Sequence, residues 1–197
     1  IMAQHAERMT RLVEDLLSLS RIEMNEHTVP TERVDLPALL GSVATNLEWR
    51  ASARSAAIEQ DIAADLPPLT GDASELTQLF QNLVDNAIKY GREGGTVRIR
   101  AWHETADPDG GEAGDILVSI ADEGEGIARH HLPRLTERFY RVDTARSREL
   151  GGTGLGLAIV KHIASRHRAA LTIDSEAGKG STFTLRFLRA SISAQAN

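Results

Sequence analysis

The chain has 197 residues, 41% hydrophobic and 25% charged, which fits one ordinary domain plus an appendage, with a core that needs no cross-links. A formal charge of −6 argues against a nucleic-acid surface as its main business, and the lack of cysteine excludes a disulfide scaffold, thiolate metal sites and a cysteine nucleophile. No apolar run approaches the roughly 20 residues needed to span a bilayer, and no signal peptide opens the chain.

The chain starts at Ile1 inside an already helical pattern and reads as a soluble segment of a longer protein. Met2, His5, Met9, Leu12, Leu16 and Leu19 recur at steps of three and four, the seam of a helical hairpin or coiled coil. One helix cannot bury its own seam, so a partner helix is expected. Asn25 to Pro30 breaks the helix, and Thr31 to Leu36 reads as a strand opening a second domain. A helix follows from Pro37 to about Ser52, then a strand near Ile58 to Ile62 and a helix from Ala73 to Tyr90. Strands near Thr96 to Trp102 and Ile116 to Ala121 flank a polar turn from Thr105 to Asp115, as in a hairpin with a long loop. Asp122 to Gly152 has many charges and little periodicity, the pattern of a lid or binding loop. Gly154 to Arg168 reads as a helix, and strands at Leu171 to Asp174 and Ser181 to Leu188 close the chain. The mixture predicts an α+β fold: a two-layer sandwich of a mixed, mostly antiparallel sheet with helices on one face, preceded by a long dimerisation-type helix.

Three places carry chemistry. In the helix from Ala73 to Tyr90, Leu76, Leu79, Phe80, Leu83 and Ala87 form the core face, while Glu75, Gln78, Asn82, Asn86 and Lys89 form a polar stripe. Glu, Gln and Lys suit any solvated face. Two Asn residues one turn apart compete for backbone hydrogen bonds and point to another use, since their carbonyl oxygens are hard neutral ligands suited to Mg²⁺. At the end of the Ile116 to Ala121 strand, Asp122-Glu-Gly-Glu-Gly-Ile127 sets a carboxylate beside backbone that can approach a flat ligand. It could accept a hydrogen bond from an amino group such as that of adenine, or the segment could be a tight turn, which Asp and Gly also favour. Gly151 to Leu157, GGTGLGL, runs four glycines into a helix start, which suits a phosphate cradle or close packing.

Taken in order, the motifs resemble the ATP-binding domain of sensor histidine kinases, in the superfamily that includes gyrase, the mismatch-repair ATPase and the heat-shock chaperone ATPase. ELTQLFQNLVDNAIKY resembles the asparagine box, DEGEGI the first glycine box, ERFYRVD the phenylalanine box, GGTGLGLAIV the second glycine box and GKGSTFTL the closing strand motif. ERMTRLVEDLLSLSRIE is similar to the second helix of the family's dimerisation hairpin. The resemblance implies a partial dimerisation helix over 1–27, a catalytic domain over 28–190 and a tail over 191–197. It implies that Asn82 and Asn86 hold Mg²⁺, that Lys89 approaches a phosphate of ATP, and that Arg138, Phe139 and Arg141 belong to the lid, with Asn82, Lys89, Arg138 and Arg141 as the catalytic set. Tyr90 would lie beside the nucleotide and Asp122 on the adenine amino group, with Gly124, Gly126 and Ile127 shaping the pocket. Gly152, Thr153, Gly154, Leu155 and Gly156 would wrap the phosphates, and Thr182 completes the nucleotide set. The implied partners are a response regulator receiver domain and a second copy through the N-terminal helix. The implied location is cytoplasmic, with the parent protein held in the membrane by upstream segments.

Thr136 departs from the pattern, standing where an aromatic usually opens the phenylalanine box; Glu125 adds an acid, and Arg168-Ala-Ala replaces a Gly-rich turn. A hydrolase of the superfamily uses a glutamate base where this chain has Asn82, which cannot act as one; that favours transfer to a neutral imidazole. The family's acceptor histidine is followed by an acid and then proline. None of His5, His103, His130, His131 or His167 stands in that motif, which implies an acceptor outside this chain. A stand-alone ATPase, an anti-sigma-type serine kinase and a non-enzymatic dimerisation module are the alternatives.

Overall fold

The computed structural model describes residues 2–24, 28–105, 113–142 and 152–188. Helix α1 (Met2–Met24) leads into strand β1 (Glu32–Val34) and helix α2 (Leu36–Ser52). Strands β2 (Ala57–Ile62) and β3 (Leu69–Gly71) precede helix α3 (Ala73–Tyr90), and β4 (Thr96–Thr105) and β5 (Ala113–Asp122) follow it. A 3-10 turn (Arg129–Arg134), helix α4 (Gly156–Arg166) and strands β6 (Ala169–Glu176) and β7 (Gly180–Phe187) complete the order.

Five strands form one sheet in the order β2-β4-β5-β7-β6. Among the described residues only β2 and β4 pair in parallel, across the α3 crossover; the other neighbours are antiparallel. The expected mixed, mostly antiparallel sheet with helices on one face is therefore present: α2 packs on β2, α3 on β4 and β5, and α4 on β6. Alternation along β4 explains the two faces. Val97, Ile99 and Ala101 are buried under the helices, while Arg98 and Arg100 face solvent, where Arg100 pairs with Asp61 at 2.9 Å. Between the layers Leu40, Leu79, Phe80, Leu83, Ile159 and Phe187 are buried, with the Phe80 and Phe187 ring centres 6.4 Å apart.

α3 has the predicted bounds, because both ends are written into the sequence. Asp72 accepts hydrogen bonds from the Ser74 and Glu75 amides at 2.9 and 3.1 Å, and Gly91 follows the last turn. Two findings differ from the sequence reading. β3 was not anticipated; it pairs with β1 in a separate antiparallel ribbon, and strands of three residues are too short to show alternation. The loop after β5 contains the 3-10 turn, and its lid portion over 143–151 lies outside the described residues, as does the β4–β5 connection over 106–112.

α1 divides its apolar positions between two faces instead of forming one seam. Leu19 and Ile22 are buried against the body of sheet and helices and Leu12 packs beside them, whereas Met9, Val13, Leu16 and Leu17 are exposed. The side chains of Met2 and His5 lie outside the described residues.

Candidate nucleotide site

One cavity of about 250 Å³ lies between α3, the turn after β5 and the loop before α4. α3 lines it with Asn82, Asp85, Asn86, Lys89 and Tyr90, the residues its buried apolar stripe turns away from the core. Asp85 is bound on both sides: Arg50 of α2 donates to it at 2.6 Å, and Lys89 pairs with its other oxygen one turn on. The carboxylate thus holds Lys89 at the cavity wall and is itself neutralised. Arg54 donates to the Lys89 carbonyl at 2.7 Å, satisfying an end of α3 that would otherwise be open.

Asp122, Gly126 and Ile127 line a second wall. Burial pushes the Asp122 carboxyl up from its ordinary range, against the backbone hydrogen bonds from Gly124 and Ser181 that lower it. The Gly124 amide donates to Asp122 at 2.8 Å, and a side chain at Gly124 would collide with the Tyr90 carbonyl, its Cβ only 2.2 Å away. Gly124 therefore braces the carboxylate from behind and is not itself a lining residue.

Gly152, Thr153, Gly154 and Gly156 supply the third wall, at the N-terminal end of α4. Gly154 has φ +77, and its carbonyl accepts from the Phe139 amide at 2.9 Å, tying the base of the lid to this loop. The start of α4 also presents main-chain amides and the positive end of its dipole to the cavity. Gly151 lies outside the described residues.

Thus the asparagine helix, the Asp-Gly turn and the Gly-rich helix start, far apart in sequence, meet at one cavity. Arg141 and Tyr90 line it as well. Besides Gly124, three expected residues stand elsewhere. Leu155 is fully buried and packs in the core, because it is the apolar anchor that turns the loop into α4. Thr182 is displaced by strand alternation: Ser181 and Phe183, on the opposite face of β7, reach the cavity instead. Arg138 is absent from the lining and forms an ion pair with Glu23 of α1.

Sequence reasoning missed Asp85 and Tyr140, both lining residues, and also Asp15 of α1. The Thr153 hydroxyl donates to the Asp15 carboxylate at 2.7 Å, so the first helix reaches the Gly-rich loop. Asp85 was legible in principle, lying between the two asparagines on the same helical stripe. Asp15 was not, since nothing local links it to a residue 138 positions away. Among the described residues no cluster of three or more His, Cys, Asp or Glu side chains could hold a metal ion, and no helix is long and apolar enough to cross a membrane.

Residues 71–191 match the family described as histidine kinase-, DNA gyrase B-, and HSP90-like ATPases. The chain belongs to this family. It is 46% identical over 191 residues to the phosphate regulon sensor protein PhoR of Pseudomonas aeruginosa, covering 97% of this chain and 41% of that protein. The crystal structure of full-length ShkA in complex with AMPPNP superposes with a TM-score of 0.75 at 29% identity, covering 95% of this chain and 38% of the other. The histidine kinase AdeS of Acinetobacter baumannii gives 0.72 at 26% identity, covering 93% and 79%. Within the family the chain therefore falls with the sensor histidine kinases, and it spans less than half the length of curated relatives such as PhoR and SenX3 of Mycolicibacterium smegmatis.

Proposed function

We propose that this chain is the Mg·ATP-binding catalytic part of a two-component sensor histidine kinase. It passes the ATP γ-phosphate to a histidine on a dimerisation helix that it does not itself contain, for relay to an aspartate of a response regulator receiver domain. The observation that carries this reading is the convergence of Asn82, Asn86 and Lys89, Asp122, and the Gly152–Gly156 loop on one cavity.

In this reading Asp122 accepts the adenine amino group and Tyr90 lies beside the base. The amides at the start of α4 and the Lys89 ammonium receive the phosphates. Asn82 and Asn86 present neutral oxygen donors one turn apart at the cavity wall, a set that fits Mg²⁺ sharing its remaining ligands with water and phosphate. An ion held there would supply positive charge to offset that of the phosphates. Asp85 is engaged by two cations and positions Lys89 instead of activating water, which favours transfer over hydrolysis. The exposed Met9, Val13, Leu16 and Leu17 support assigning 1–27 to the dimerisation part and a homodimer through α1, with 28–190 as the catalytic domain and 191–197 as a tail. The same reading proposes a cytoplasmic location, beneath a membrane-anchored sensor.

Titration of a non-hydrolysable ATP analogue by calorimetry tests the site. Binding is expected to need Mg²⁺ and to weaken by about 10-fold or more in Asn86→Ala, the loss of one ion ligand. Equal affinity with and without Mg²⁺, in both proteins, would remove the proposed metal role.

A further inference from the structure

We propose that His131 is a positioning residue for nucleotide binding, acting through the hydroxyl of Tyr140 to hold the base of the lid against the cavity. The inference rests on the nucleotide-site reading above.

Tyr140 lines the cavity together with its neighbours Arg141 and Val142. Its hydroxyl is 2.6 Å from Nδ1 of His131, the middle of the 3-10 turn that follows the Asp122–Ile127 wall. The guanidinium of Arg134 covers the ring face, 4.2 Å from its centre, and the same guanidinium is held by Glu137 at 3.1 Å. The ring of His130 lies 3.9 Å from that of His131. Among the described residues, two hydrogen bonds join the lid base to the cavity walls. One is main chain to main chain, from the Phe139 amide to the Gly154 carbonyl, and survives any side-chain change at Tyr140 or His131.

The other is the His131–Tyr140 pair, which joins the wall expected to hold the base to the segment that carries Arg141. With neutral His131, one proton serves the pair in either tautomer: the hydroxyl donates to a bare Nδ1, or Nδ1–H donates to the phenol oxygen. The cation over the ring face restrains its plane, while the hydrogen bond fixes its hydroxyl end against the turn. The hydrogen bond thus helps set where Tyr140 stands at the cavity wall, with Arg141 next to it in the chain. Removing it leaves the fold of the domain in place and loosens the closing wall.

The test measures affinity for trinitrophenyl-ATP with Mg²⁺, alongside the thermal midpoint of the nucleotide-free chain, for His131→Phe, Tyr140→Phe, the double variant and His131→Asn. Each Phe variant is expected to bind about 5-fold more weakly, equivalent to ~1 kcal/mol for one neutral hydrogen bond. The double variant should be no weaker than the weaker single one, because the two share one interaction. His131→Asn, whose amide can stand where Nδ1 does, should restore most of the affinity, and the midpoints should stay together. Undiminished affinity in His131→Phe, additive losses in the double variant, or losses that follow the thermal midpoint would each overturn the proposal. A parent chain that binds no nucleotide would overturn the site reading itself, a result visible before any variant is made.

Discussion

Asp122 combines two demands that pull on stability in opposite directions. Burial raises its carboxyl, so the native state binds its proton more tightly than the unfolded chain does. The sign follows from linkage: stability falls as pH climbs from the ordinary value of 3.8 through the raised one, and at neutral pH the whole cost of the charge is present. Asp122→Asn removes that cost and keeps an oxygen for the Gly124 amide. The nucleotide-free variant should therefore unfold at the same temperature or higher, while ATP binding weakens about 10-fold or more, the scale of a hydrogen bond to a charged group. Calorimetry and thermal unfolding read the two effects separately; a fall in both would make Asp122 a scaffold residue. His167 gives the converse case. Its Nε2 accepts from the Asp72 amide at 3.0 Å and its Nδ1 must donate to the Ile163 carbonyl at 2.8 Å, so the buried ring is held neutral, and burial pushes its pKa below the ordinary 6.5. A lowered histidine contributes stability that is full above 6.5 and is lost as pH falls toward its folded value. The thermal midpoint should drop on acidification through this window, and His167→Phe, though less stable at neutral pH, should show a flatter acid limb.

At the scale of elements, what could be read in advance was what is encoded locally. α3 was legible to the residue because Asp72 caps it, Gly91 ends it and its apolar stripe has one period. The cavity walls were legible because asparagines in a helix, Asp-Gly turns and Gly-rich helix starts each carry a local reason to exist. Thr182 was misplaced by one step of strand alternation, and Leu155 by treating every member of a glycine loop as a ligand contact. The contacts of α1 were beyond reach, since Asp15 meets Thr153, Glu23 meets Arg138 and Ser18 meets Gln78 only once the domain has folded. One consequence is testable. Asp15 takes up the hydroxyl of the Gly-rich loop and adds a negative charge at a mouth expected to receive triphosphate. Asp15→Asn should raise Mg·ATP affinity by about 3-fold at low salt, with the gain shrinking as ionic strength rises. An unchanged or lower affinity at every salt concentration would show that α1 and nucleotide do not compete.

For the whole molecule, the sheet backs a helix layer that carries the cavity, and α1, the element expected to pair with an acceptor-bearing helix, docks on that layer through Leu19 and Ile22. Its outward face, with Met9, Val13, Leu16 and Leu17, is apolar and exposed, the side on which a second helix would pack. In the proposed function the catalyst and the group it serves are on different helices, so phosphotransfer would depend on what α1 is paired with. Incubated with γ-labelled ATP and Mg²⁺, the chain alone should gain no acid-labile, alkali-stable label, because none of its histidines stands in the acceptor motif. Addition of a helical hairpin bearing an acceptor histidine, taken from a relative such as PhoR, should place label on the hairpin. Asn86→Ala should abolish the transfer. Steady release of free phosphate with no label on either partner would instead favour the stand-alone ATPase, since water would then be the acceptor despite Asn82 at the position of the base. Label on this chain's own histidines would show that a neutral imidazole outside the motif can reach the γ-phosphate, and the division of labour between α1 and its missing partner would have to be abandoned.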